Sequence, residues 1–194
     1  MFKFRDYQKR IVRQGSKILK NHNLLYLTME VRTGKTFTSL GICNKIKANN
    51  VLFITKKKAI SSIEDDFNTL KPNYKITVIN YESLHKISTD QHFDVLILDE
   101  AQDCTPLQWS VLYKMAPKVD RIYLAGDDDQ AIFKWAGADI DHFIALRDEV
   151  DEIRTLNQSY RIPGGPIHEL SQRIISRVKN RYEKDYKPKQ EIRT

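Results

Sequence analysis

Gly34-Lys35-Thr36, Asp99-Glu100, Gln130 and Arg161 are the residues of this sequence whose types and placement suit phosphate chemistry. A glycine ahead of a lysine and a hydroxyl residue, set between an apolar strand and a helical pattern, is what an anion-binding loop requires. Backbone N–H groups and the helix dipole face the anion. Arg32 and Thr33 complete the loop, Lys35 neutralises β- and γ-phosphate charge, and the Thr36 hydroxyl completes a Mg²⁺ shell. Such loops usually carry a glycine five residues before Gly34; Met29 stands there, so the loop departs from the usual geometry. Asp99 and Glu100 end a short run, Val95 to Leu98, that is rich in branched residues and reads as a strand buried on both faces. Two carboxylates on the carboxyl edge of such a strand are costly unless a metal ion or an activated water requires the charge. An ordinary acidic turn explains Asp-Glu alone; Asp-Glu-Ala-Gln-Asp after this strand favours a nucleotide-hydrolysing site.

Further candidates gain weight from that loop. The Gln8 side chain can donate to and accept from the edge of adenine in one bidentate contact. Lys56-Lys57-Lys58, at the end of a strand, suit a nucleic-acid backbone, and equally suit a solvated charge run. Gly126-Asp-Asp-Asp-Gln130 follows another strand; three adjacent aspartates repel one another and have no evident structural reason, while the Gln130 amide is placed to touch a γ-phosphate and sense its loss. Phe133 and Trp135 lie in a Gly- and Asp-rich loop rather than on a periodic stripe, which favours base stacking over core packing. Tyr160 is a second stacking candidate, and the Arg161 guanidinium suits a phosphate.

The elements that must position these residues alternate. Met1 to Lys20 predicts an extended arm and an amphipathic helix capped by Asp6. Strands are expected at Leu24–Thr28, Val51–Thr55, Ile76–Ile79, Arg121–Ala125 and, last, Glu152–Leu156. Helices are expected from the phosphate loop to about Ala48, at Ile60–Leu70, briefly after Asn80, at Thr105–Met115 with Trp109 and Leu112 facing the core, and at Ile140–Leu146. Ser88 to His92 reads as polar linker. A long basic helix then runs to about Tyr182, and Asn180–Thr194 reads as a frayed, charged tail. This order predicts an α/β fold of three layers around a mainly parallel sheet with right-handed crossovers.

Composition sets looser bounds. With 32 Lys plus Arg against 25 Asp plus Glu, the formal charge of +7 permits a polyanionic partner without requiring one. Cys43 and Cys104 have no metal-ligand spacing and read as reduced thiols of an intracellular protein. The histidines are scattered singly, and no apolar run reaches membrane length, so a soluble protein without a membrane partner is expected.

Three motifs carry a resemblance. DEAQD at Asp99–Asp103, GDDDQAIFKWAGAD from Gly126 and LNQSYR at Leu156–Arg161 resemble motifs II, III and IV of UvrD/Rep-like superfamily 1 DNA helicases. The front of the chain, FRDYQ, EVRTGKT and ITKKKAI, is closer to the Q motif, motif I and motif Ia of superfamily 2 proteins of phage type. The mixture implies a compact, phage-encoded helicase acting in replication or repair in the host cytoplasm. Its fold would be a RecA-like P-loop domain over residues 1–182, with 183–194 leading towards a second such domain. The resemblance implies that Gln8 reads adenine and that Arg32, Thr33, Gly34, Lys35 and Thr36 hold ATP, Thr36 and Asp99 serving Mg²⁺. Glu100 would activate the attacking water, Gln130 would couple the γ-phosphate to DNA, Tyr160 would stack on adenine, and Arg161 would contact the γ-phosphate. Lys56, Lys57, Asn80, Phe133 and Trp135 would face single-stranded DNA.

Two departures qualify this expectation. The spacing ahead of DEAQD leaves no room for the accessory insertion of larger relatives, and motifs V and VI of a second RecA-like domain are not found. Alone, the chain is expected to bind ATP weakly, hydrolyse it slowly if at all, and not unwind duplex. The competing expectation is a non-catalytic ATP- or DNA-binding regulatory module that retains the fold; intact Lys35, Glu100, Gln130 and Arg161 favour the enzyme.

Overall fold

The computed structural model describes residues 3–29, 34–88, 90–150, 153–156 and 158–189. Six strands form one parallel sheet: β1 (Leu24–Met29), β2 (Asn50–Thr55), β3 (Lys75–Asn80), β4 (Phe93–Asp99), β5 (Val119–Gly126) and β6 (Ile153–Leu156), in the order β3-β2-β4-β5-β1-β6. Helix α1 (Asp6–Asn21) precedes the strands, and between them lie α2 (Lys35–Lys45), α3 (Ile60–Leu70), α4 (Pro106–Met115) and α5 (Ile140–Ala145). Because every strand runs the same way, β1, β2, β4 and β5 all deliver their carboxyl ends to one edge.

Strand alternation divides the core in two. Leu25, Leu27, Val51, Phe53, Val95, Ile97, Tyr123 and Ala125 pack with residues of α1, α2 and α3. Tyr26, Leu52, Ile54, Leu96, Leu98 and Leu124 face the other way, onto Trp109 and Leu112 of α4 and Phe143 of α5. Helices on both faces explain why β2 and β4 read as unbroken apolar runs. Fully burying side chains such as Phe53 and Phe143 stabilises the fold by roughly 1.5–3 kcal/mol each. The three-layer α/β expectation holds.

Several local expectations need correction. Arg5, not Asp6, holds the N-cap position of α1, and the capping contact comes from Gln8, whose Oε1 accepts from the Arg5 N–H at 2.9 Å. Helix α2 ends at Lys45 rather than near Ala48, because the chain turns at Lys47 through a positive φ of 60°. The largest differences are carboxyl-terminal. β6 is not the last strand: β7 (Gln158–Pro163) follows directly and pairs with β8 (Lys187–Lys189). The basic helix α6 spans only Pro166–Ile175, and the segment expected to fray from Asn180 is docked on the protein as far as Lys189.

Candidate active site

Gly34 occupies the left-handed region (φ 79°) immediately before α2, where a residue with a Cβ is strained. It also has no space for one: a Cβ there would stand 2.3 Å from Gln8 Nε2. The buried Gln8 is thereby packed against the end of the phosphate loop. Lys35 opens the helix with its side chain nearly enclosed, and Thr36 lies half-buried in the same turn. Arg32 and Thr33 lie outside the described residues.

From Lys35 a chain of contacts crosses the strand ends. Lys35 Nζ is 3.1 Å from Glu100 Oε1. Glu100 sits in the left-handed region (φ 56°) just after β4 and accepts from Gln102 Nε2 at 2.8 Å through its other oxygen. The Gln102 Oε1 then accepts from the Asp127 N–H at 3.1 Å, and Asp127 Oδ2 accepts from Gln130 Nε2 at 2.5 Å. This passage is tight, since a Cβ on Gly126 would stand 2.7 Å from Gln102 Oε1 and 2.6 Å from the Phe143 ring. Lys35, Glu100 and Gln130 are thus joined in one network. The side chains of Tyr160 and Arg161 lie outside the described residues.

Electrostatics separate the two carboxylates of the pair. Burial pushes the Asp99 carboxyl up to about 6, and the neighbouring Glu100 adds to this; Lys35 and a 2.9 Å hydrogen bond from Thr55 Oγ1 only partly oppose them. Burial also presses Glu100 upward, but Lys35 and Gln102 outweigh it and hold the carboxyl below its ordinary value. Tyr81 donates to the Asp99 carbonyl at 2.7 Å and fixes the backbone there. Among the described residues the pair therefore offers one carboxylate in direct contact with Lys35 and one without a cation at ion-pair distance. A divalent cation fits the second.

A branch runs from this network to the surface. Lys56 Nζ is 2.5 Å from Asp103 Oδ2 and lies over the Phe133 ring at 4.2 Å from its centroid. Among the described residues, Asp103 Oδ1 is buried without a hydrogen-bond partner. The Phe133 and Trp135 rings are 6.2 Å apart, Phe133 half-buried and Trp135 83% exposed, with Ile132 also exposed beside them. Core packing is therefore not the reason for Trp135. Lys57 is exposed next to Lys56, whereas Asn80, at the end of β3, is engaged with Glu82 at 2.5 Å.

The expectation that Asp127–Asp129 have no structural reason is corrected. Lys184 is buried among all three, 2.9 Å from Asp127 Oδ1, in contact with Asp128 and 3.2 Å from Asp129 Oδ2. Arg181 grips Asp129 through Nε and Nη2 at 2.6 and 2.8 Å, the Tyr182 N–H donates to Asp128, and the Tyr186 hydroxyl donates to Asp127 Oδ2 at 2.7 Å. Burial presses Lys184 towards its neutral form, but Asp127 and Asp128 overrule it and keep the ammonium charged. Sequence reasoning assigned no role to Gln102, Asp103 or these tail cations; three uncompensated aspartates upstream of a basic tail were the signal available for the last.

A profile of the UvrD/REP helicase N-terminal domain matches residues 4–151. Among individual proteins, the chain is 34% identical over 83 residues to the ATP-dependent DNA helicase Rep of Buchnera aphidicola, an alignment covering 42% of this chain and 12% of that protein. It is 32% identical over 87 residues to DNA helicase II of Haemophilus influenzae (44% and 12%), and 34% identical over 71 residues to the helicase PcrA of Staphylococcus epidermidis (36% and 10%). The matched stretches are thus about a tenth of those relatives. In fold, the chain is similar to the Sulfolobus solfataricus SWI2/SNF2 ATPase core in complex with dsDNA, with a TM-score of 0.57 at 14% identity over 79% of this chain and 45% of that one.

Proposed function

Because the chain belongs to the UvrD/REP helicase N-terminal domain family, we propose that it is the first RecA-like motor domain of an ATP-dependent DNA helicase or translocase. It binds Mg²⁺·ATP on the strand edge and single-stranded DNA beside it, and it works with a second RecA-like domain in the same or another polypeptide. The phage-type and cytoplasmic assignments belong to this reading. The observation that carries it is the continuous network from Lys35 through Glu100 and Gln102 to Asp127 and Gln130.

The residues divide the work. Lys35 is paired with Glu100; a bound triphosphate draws the ammonium to its phosphates and frees that carboxylate oxygen to accept a proton from water. Gln102 keeps the other oxygen of Glu100 fixed, so the base stays aimed. Thr36 and Asp99 hold Mg²⁺, which when bound neutralises phosphate charge. Gln8 supports the loop end and, with Tyr160, faces the adenine, while Arg32, Thr33 and Gly34 shape the phosphate loop and Arg161 reaches the γ-phosphate. Lys56 ties Asp103 to Phe133, and Trp135 offers an exposed stacking face; Lys57 and Asn80 extend this surface along the DNA backbone.

The test is ATP hydrolysis with and without single-stranded DNA, on this chain and on a longer polypeptide carrying both RecA-like domains. Glu100→Gln should lower DNA-stimulated turnover by about 10²–10⁴-fold while preserving nucleotide binding. Absence of DNA stimulation in the longer protein, together with unchanged kinetics for Glu100→Gln, refutes the reading.

A further inference from the structure

We propose that Lys184 and Tyr186 are positioning residues of the nucleotide site, acting through Asp127 on Gln130 and on the Gln102–Glu100 pair. The proposal rests on the nucleotide-binding reading above and adds to it a segment lying more than 50 positions downstream of the loop it controls.

Asp127 is where the two parts meet. Its Oδ2 receives both the Tyr186 hydroxyl, at 2.7 Å, and the Gln130 amide, at 2.5 Å, while its Oδ1 faces Lys184 at 2.9 Å. Its backbone N–H donates to Gln102, which in turn holds Glu100. The side chains of Lys184, Asp127, Asp128 and Asp129 are between 0 and 3% exposed, so no water competes for these contacts and each carboxylate direction is set by its protein partners. Left without the tail, three adjacent carboxylates would repel one another and turn outwards to solvent, taking the Gln130 amide with them. The tail itself is held by Arg181 on Asp129 and by the pairing of β8 with β7. β7 includes positions 160 and 161, so its pairing with β8 ties the same clasp to the strand that carries two further residues of the nucleotide reading.

The test compares the affinities of Mg²⁺·AMP-PNP and Mg²⁺·ADP, and follows the side-chain amide signals of Gln130 by NMR in the nucleotide-free chain. Tyr186→Phe removes one hydroxyl with no change in charge. It should shift the Gln130 amide signals and lower the AMP-PNP to ADP affinity ratio by about three- to tenfold, with ADP affinity unchanged. In a Gln130→Ala background the same substitution should have no further effect on the ratio. Lys184→Met combined with Asp128→Asn, which loses a positive and a negative charge together, provides a second variant and should act in the same direction. Unchanged Gln130 signals, an equal loss for both nucleotides, or an additive loss in the Gln130→Ala background would each make the tail a structural strap and overturn the proposal. A wild-type chain that does not distinguish the two nucleotides refutes the nucleotide reading instead; the amide signals then decide the positioning claim alone, with a shift supporting it.

Discussion

Two acidic clusters stand at neighbouring strand ends, Asp99-Glu100 after β4 and Asp127–Asp129 after β5, and their partners differ sharply. In the first, Glu100 has Lys35 and Gln102, but the Asp99 side chain has the Thr55 hydroxyl and the Glu100 backbone N–H rather than a paired cation among the described residues, and burial pushes it up to about 6. In the second, Lys184, Arg181, Tyr186 and a backbone N–H meet all three carboxylates. A buried carboxylate already satisfied by the protein supports its neighbours; one left short of cations is where an ion gains most. Clustering of aspartates alone does not tell the two apart. The denser acidic run is met by the protein's own cations, and the sparser pair is the one proposed for chemistry.

The largest expected effect follows from removing the compensating charge. Lys184→Met leaves three buried carboxylates with one cation and should cost about 3–5 kcal/mol of stability in urea unfolding. Lys35→Met, at the other cluster, should cost clearly less, because Glu100 keeps Gln102 and its side chain is 28% exposed. Equal losses would break the comparison.

That asymmetry also marks what was legible in the sequence. The apolar runs of β2 and β4 identify themselves, because strands covered on both faces are apolar at nearly every buried position, and they place Asp99 and Glu100 at the correct edge. Trp135 was separable from the core because it lies off any periodic stripe, and it is indeed on the surface. The failures share a cause. β8, Lys187-Pro-Lys189, has no apolar pattern and is identified by its pairing with β7, and the basic helix stops at Ile175 so that the chain can return Lys184 to Asp128, 56 positions earlier. Local propensity carries no record of a partner that distant. The end of α2 shows the same limit on a smaller scale: Ala48 continues the apolar pattern and is buried, but it arrives there through the left-handed turn at Lys47 rather than as helix.

A smaller effect concerns the surface next to the sparser cluster. Trp135→Ala should weaken binding of single-stranded DNA by about 1–3 kcal/mol, read by fluorescence anisotropy of a labelled oligonucleotide. The same variant should unfold at the wild-type midpoint, since an 83% exposed indole contributes little to packing. A stability loss without an affinity loss would return this residue to a structural role and detach the DNA face from the Lys56–Asp103 branch.

The last and smallest effect has a sign that depends on pH. Because the Asp99 carboxyl is raised in the folded state, the native protein binds the proton more tightly than the unfolded chain does. The linkage relation then makes stability fall as pH rises from the ordinary carboxylate value near 4 to about 6, and level off above it. Below that window wild type and Asp99→Asn are both neutral at this position and should unfold alike. Above it the variant escapes the cost of a buried charge and should be more stable, by about 1–2 kcal/mol, since the loss of a well-matched acceptor for Thr55 takes back part of the gain. Saturating Mg²⁺-nucleotide should narrow the difference, because only the carboxylate gains from the cation. A variant less stable than wild type at pH 8 without nucleotide would mean that Asp99 is as well satisfied as Asp127, and the contrast between the two clusters would be lost.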